Sequence, residues 1–96
     1  MKALVLGAGG VGRAIGNIAS RRKFITEMVI ADRNLDRAEA AVARLNDSRF
    51  SAAVVNCAEL EDVRELIRKA RPDVVINAVD PRYVMPIFLA CEIENT

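Results

Sequence analysis

The chain alternates between short apolar runs and longer stretches in which apolar residues return every three or four positions. Lys2–Leu6 is an apolar run stopped by glycine, the pattern of a strand buried in a parallel sheet. From Val11 to Ser20 the positions Val11, Ala14, Ile15, Ile18 and Ala19 predict a helix with an inward apolar stripe. Arg21-Arg22-Lys23 close it, where cations suit the macrodipole and water alone satisfies them. Met28–Ala31 predicts a second strand ending at Asp32. Asn34 is placed to cap a second helix, faced by Leu35, Ala38, Val42 and Leu45. After the loop Asn46-Asp47-Ser48, Ser51–Val55 predicts a third strand, and Leu60, Val63, Leu66, Ile67 and Ala70 stripe a third helix. Arg71-Pro72-Asp73 breaks that helix, because proline cannot continue it. Val74–Ala78 is the fourth strand, and Pro86 falls in the first turn of a last helix with Ile87, Phe88 and Cys91 on its inner face.

Strands alternating with crossover helices imply an α/β fold: a parallel sheet with helices on its faces. Four βα units are present where a doubly wound sheet commonly carries five or six strands, so the chain reads as a single domain over residues 1–96, truncated after four units and cut from a longer protein. Composition narrows the chemistry. With 96 residues, 52% hydrophobic and 28% charged, the chain suits one small globular domain. A net charge of +1 speaks against a nucleic-acid binder working by bulk electrostatics. The absence of histidine excludes Ser-His-Asp and Cys-His chemistry and His-ligated zinc within these residues. No apolar run approaches the roughly 20 residues of a membrane span, and the first residues lack a signal-peptide pattern. The two cysteines, Cys57 and Cys91, read as inert thiols of a cytoplasmic domain.

One motif carries chemistry. Gly7-Ala8-Gly9-Gly10-Val11-Gly12 fits G-x-G-x-x-G, directly after a predicted strand and opening a predicted helix. In a Rossmann-like sheet, Gly7 permits the tight turn, Gly9 lets a pyrophosphate approach the backbone, and Gly12 lets helix and strand pack closely. The first-turn N–H groups and the positive helix end then bind the anion, with no basic side chain required. Asp32, 20 residues after Gly12, is placed to accept hydrogen bonds from the adenosine ribose hydroxyls. A carboxylate there repels a 2′-phosphate and favours NAD over NADP, while the adjacent Arg33 can pair with that phosphate or lie open in a loop. The expected cofactor is therefore NAD or NADP, with NAD slightly ahead. The same sheet edge gathers Asn56 and Cys57 towards the adenine, and Asn77, Ala78 and Val79 towards the nicotinamide. Asp80, a lone carboxylate before proline, reads as a turn residue more readily than as a general base.

Met1–Gly12, Ile30-Ala31-Asp32-Arg33, Arg71–Ala78 followed by Pro81, and Pro86–Cys91 together resemble the N-terminal domain of the saccharopine dehydrogenase family, over essentially the whole chain. The resemblance implies an NAD(P)-binding domain, with Gly7 to Gly12 on the pyrophosphate, Asp32 and Arg33 on the ribose, Asn56 and Cys57 near the adenine, and Ala78 and Val79 on the nicotinamide side. It also implies hydride transfer to or from a carbon–nitrogen bond of an amino-acid-derived substrate held by a further domain. No catalytic residue carries over, because the chain lacks the family's following glycine and strand. A regulatory nucleotide-binding module of the potassium-transporter type shares the glycine turn and the acidic residue, and stands as the alternative. Open edge strands and uncovered helix faces further predict association, with a second copy or with additional chain.

Overall fold

The computed structural model describes every residue except Asp80, and the backbone only of Pro81. Four parallel strands, β1 (Lys2–Leu6), β2 (Glu27–Asp32), β3 (Phe50–Val54) and β4 (Val74–Asn77), form one sheet in the order β3-β2-β1-β4. Helices α1 (Gly10–Ala19), α2 (Leu35–Leu45), α3 (Leu60–Ala70) and α4 (Val84–Glu94) link or follow them, with a short 3-10 turn at Pro81–Tyr83 before α4. The doubly wound α/β expectation holds, each strand lying within one or two residues of its predicted span.

Strand alternation divides the core in two. Ala3, Val5, Met28 and Ile30 face α1 and α2, while Leu4, Leu6 and Ala31 face α3 and α4. Leu4, Leu6, Val5 and Ile30 are wholly buried, each contributing roughly 1.5–3 kcal/mol of transfer free energy. The chain runs outward through β2 and β3 and returns to β4, so the switch in strand order falls between β1 and β4. Register pairs Leu6 with both Ala31 and Asn77, and Asp32 with Val54, which brings the C-terminal strand ends to one edge.

Two helix faces differ from the sequence pattern. On α1 the buried residues are Gly12, Gly16 and Ala19, while Val11 and Ile18 are 64% and 57% exposed. Small residues let the helix backbone sit close to the sheet, and that closeness turns the larger apolar side chains outward. On α4 the inner face is Ile87 and Ala90, with Cys91 half-buried; Phe88, expected inside, is 55% exposed. Apolar residues surround that helix on all sides, so periodicity could not select its buried face. Arg21, Arg22 and Lys23 are exposed just beyond α1, as expected. Among the described residues no helix is long and apolar enough to cross a membrane.

Candidate functional site

The site is built where β1 ends. Gly7 takes φ +113°, and its N–H donates to the Ala31 carbonyl at 2.7 Å. A Cβ on Gly7 would lie 2.6 Å from the Ala78 carbonyl oxygen and 2.9 Å from Val79 Cγ1, so β4's exit leaves no room for a side chain. A Cβ on Gly12 would run into the Gly7 carbonyl oxygen, which locks the turn against the first helical turn. Gly9 differs: a Cβ there would meet nothing within 4 Å, and the same is true of Gly10. Internal packing therefore does not demand glycine at Gly9, which leaves the backbone there open to approach from the cleft. Gly9 caps α1 without a side-chain hydrogen bond, and the first turn carries no acidic residue. Its unclaimed N–H groups and positive dipole end are available to an anion.

Asp32 ends β2 and is 7% exposed. Its Oδ1 accepts from the Ala8 N–H at 3.1 Å, its Oδ2 accepts from the Asn34 N–H at 3.0 Å, and Arg37 Nη1 lies 3.7 Å from Oδ2. Asn34 caps α2, as expected, by accepting from the Arg37 N–H at 3.2 Å. Arg37 thus stands in the first turn, and helical side chains lean towards the N-terminus, which brings its guanidinium back to the strand end.

The remaining residues follow the other strand ends. The Asn56 side chain accepts from the Ala58 N–H at 3.1 Å, and the Asn56 backbone N–H donates to Asp62 Oδ2 at 2.6 Å. Cys57 is buried, and that burial, reinforced by the carboxylates of Asp32 and Asp62, pushes its thiol up to about 11. Cys91 is half-buried and its thiol is also raised by burial. Asn77 accepts from the Val79 N–H at 3.0 Å, fixing the turn out of β4.

A cleft of about 290 Å³ opens along this edge and gathers Gly7, Gly9, Asp32, Arg33, Asn56, Cys57, Ala78 and Val79. Of the other expected residues, Ala8 and Gly12 are buried beneath the turn, Gly10 and Val11 lie on the exposed first turn of α1, and Asn77 is exposed beside the cleft. Asp80 lies outside the described residues. Four lining residues carried no expectation: Arg37, Val55, Arg82 and Tyr83, the last with the Arg82 guanidinium 5.6 Å above its ring. Arg37 had a legible signal, since an Asn34 cap puts it one turn into the helix beside Asp32. Tyr83 and Arg82 had none, because their place depends on how the chain leaves β4. Among the described lining residues three arginines accompany one carboxylate, a balance suited to an anionic ligand.

A glycine turn between β1 and α1, with an acidic residue ending β2 at the sheet's switch point, defines a dinucleotide-binding domain of the Rossmann type. The family model described as the saccharopine dehydrogenase NADP binding domain matches residues 3–95. The chain belongs to that family, and it is an NAD(P)-binding domain. It is similar to carboxynorspermidine synthase from Vibrio cholerae, 32% identical over 95% of this chain and 24% of that protein. It is also similar to carboxyaminopropylagmatine dehydrogenase from Synechocystis sp., 22% identical over 94% of this chain and 23% of that protein. In fold it matches apo saccharopine dehydrogenase (L-Glu forming) from Saccharomyces cerevisiae with a TM-score of 0.84, at 18% identity, over 99% of this chain and 20% of that one. The chain thus spans about a quarter of the relatives' length. Nothing in these comparisons favours the potassium-transporter type of module.

Proposed function

We propose that the domain takes NADP in preference to NAD, and that within a longer protein it presents the nicotinamide to a carbon–nitrogen bond of an amino-acid-derived substrate. The observation that carries the cofactor preference is the surroundings of Asp32. Its two oxygens already accept backbone N–H bonds, and Arg37 and Arg33 line the cleft beside it. The carboxylate is thereby offset by the Arg37 guanidinium, and Arg33 and Arg37 on the same cleft can pair with a 2′-phosphate. The sequence alone leans slightly to NAD because it offers Asp32 with one arginine; the second arginine beside the carboxylate moves the balance.

In this reading the N–H groups of Gly10 and Val11, on the exposed first turn of α1, hold the diphosphate in the open space above Gly9. Asn56 and Cys57 flank the adenine, and the Ala78–Val79 backbone, with Tyr83, borders the nicotinamide side. The bound cofactor supplies a hydride donor or acceptor. Acting on carbon–nitrogen bonds is supported by the resemblance of the chain to the saccharopine dehydrogenase family, and the substrate would be held by residues outside this domain. A cytoplasmic location agrees with two unpaired cysteines. Self-association through α4 is supported by exposed Met85, Phe88 and Ile93. Fragments of the cofactor test its preference: adenosine 2′,5′-bisphosphate should raise the Tm of the chain more than AMP at equal concentration. Equal shifts would refute the 2′-phosphate site.

A further inference from the structure

We infer that Asp32 is a positioning residue for the diphosphate-binding turn, acting through the Ala8 N–H, and that this part of its contribution is independent of the ribose hydroxyls. Ala8 is wholly buried, so its N–H cannot meet a ligand and must be satisfied from within. Asp32 Oδ1 is the acceptor, at 3.1 Å across a separation of 24 residues. The neighbouring ties belong to other residues: the Gly7 N–H goes to Ala31, and the Gly9 carbonyl accepts from the Arg13 N–H at 2.9 Å. Between those two points the Asp32 bond is what fixes the peptide preceding Ala8, and so sets the path of the chain into Gly9.

The second oxygen does the same on the other side. Oδ2 accepts from the Asn34 N–H, which fixes the turn carrying Arg33 and the cap from which Arg37 emerges. One buried carboxylate therefore holds two turns, one facing the diphosphate and one facing the 2′ position of the adenosine ribose. Each carboxylate oxygen has a second lone pair, so a ribose hydroxyl can still be accepted while the turn stays clamped. Removing the side chain leaves two backbone donors without their partner and frees both turns, whichever nucleotide is offered.

The inference rests on the proposed seating of the diphosphate in this turn, yet its first readout needs no nucleotide. In the 96-residue chain, Asp32→Ala should speed amide hydrogen exchange at Ala8 and Asn34 by about tenfold, the loss of one hydrogen bond to a charged group, while Val5 and Ile30 stay protected. Asp32→Asn keeps one carbonyl oxygen, so it should retain protection at one of the two amides and lose it at the other. Should Asp32→Ala fail to fold, Asp32→Asn carries the test alone. The second readout is affinity for an NAD analogue whose adenosine ribose lacks both hydroxyls. Asp32→Ala should weaken the analogue by about tenfold, as an acceptor lost from the turn requires. Unchanged exchange at Ala8, or a loss of affinity confined to nucleotides that carry the hydroxyls, would overturn the inference. Loss of protection at Ala8 with no binding of NAD or the analogue by the unmutated chain would instead overturn the seating of the diphosphate.

Discussion

The Arg37 guanidinium stands 3.7 Å from the Oδ2 of Asp32, with the arginine half-exposed and the carboxylate buried. A cation one turn into α2 is thereby held at the mouth of the cleft by an anion that faces inward. The pair orients Arg37 more than it stabilises the fold, since ion pairs with an exposed partner contribute little.

Replacing both cleft arginines should therefore change selectivity more than stability. Arg33→Ala/Arg37→Ala is expected to weaken NADP by about tenfold to a hundredfold, the loss of charge-assisted bonds to a phosphate. Affinity for NAD should move by less than about threefold. Titrations of both nucleotides at two salt concentrations would check this, with the difference shrinking as salt rises.

The glycines should separate into two classes. Gly12→Ala drives a methyl group into the Gly7 carbonyl and should cost about 2 kcal/mol or more, a drop in Tm of about 8 °C or more. Gly9→Ala meets nothing and has φ −75°, which alanine tolerates, so its Tm should stay within a few degrees of the parent. Its nucleotide affinity should nonetheless fall by about tenfold or more, because the methyl occupies the diphosphate's approach. Melting curves and titrations of the two variants decide the matter together.

These two classes also show how far the sequence could be read. The order of strands and helices, the turn at Gly7–Gly12, the end of β2 at Asp32 and the place of Asn56 just beyond β3 are local patterns, legible in the sequence. The inward face of α1 was not, since Gly12, Gly16 and Ala19 win it by being small while Val11 and Ile18 advertise a hydrophobic stripe. Phe88 on α4 lies outside although the pattern places it inside, because a helix with apolar residues all round has no preferred side. Arg37 enters the site through the Asn34 cap and the backward lean of helical side chains, a two-step geometry that a spacing rule does not contain.

Cys57 should resist alkylation in the folded chain. With its thiol pushed up to about 11 by burial, its thiolate fraction at pH 8 falls about a hundredfold below that of an exposed cysteine, slowing the reaction by about that factor. In the unfolded chain the thiol ionises near its ordinary 9.0, so above that pH the unfolded state binds fewer protons and stability falls as pH rises towards 11. Alkylation followed by mass spectrometry, and melting curves of Cys57→Ala against the parent between pH 8 and 10, would check both.

Arg49 should be the main brace of the segment between α1 and β2. It donates to the carbonyls of Ser20, Arg22 and Ile25 at 2.8, 2.9 and 2.8 Å, and pairs with Asp47 at 2.7 Å. Lysine cannot reproduce that fork, so Arg49→Lys should lower the Tm. The hydrogen bonds from Arg49 hold the Asp47 carboxyl below its ordinary 3.8, so the stability tied to this pair is present above about pH 4 and lost as pH falls below it. The difference in Tm between Arg49→Lys and the parent should narrow in acid.

Whether the domain holds NADP at this strand edge is read most directly by calorimetric titration of the 96-residue chain with NADP+ and with NAD+ at physiological salt. Saturable binding at one site per chain is expected, with NADP+ tighter by about tenfold or more, the worth of a charge-assisted phosphate contact. Tighter binding of NAD+ would contradict the roles given to Arg33 and Arg37. No heat from either nucleotide at millimolar concentration would contradict the site itself in the isolated chain.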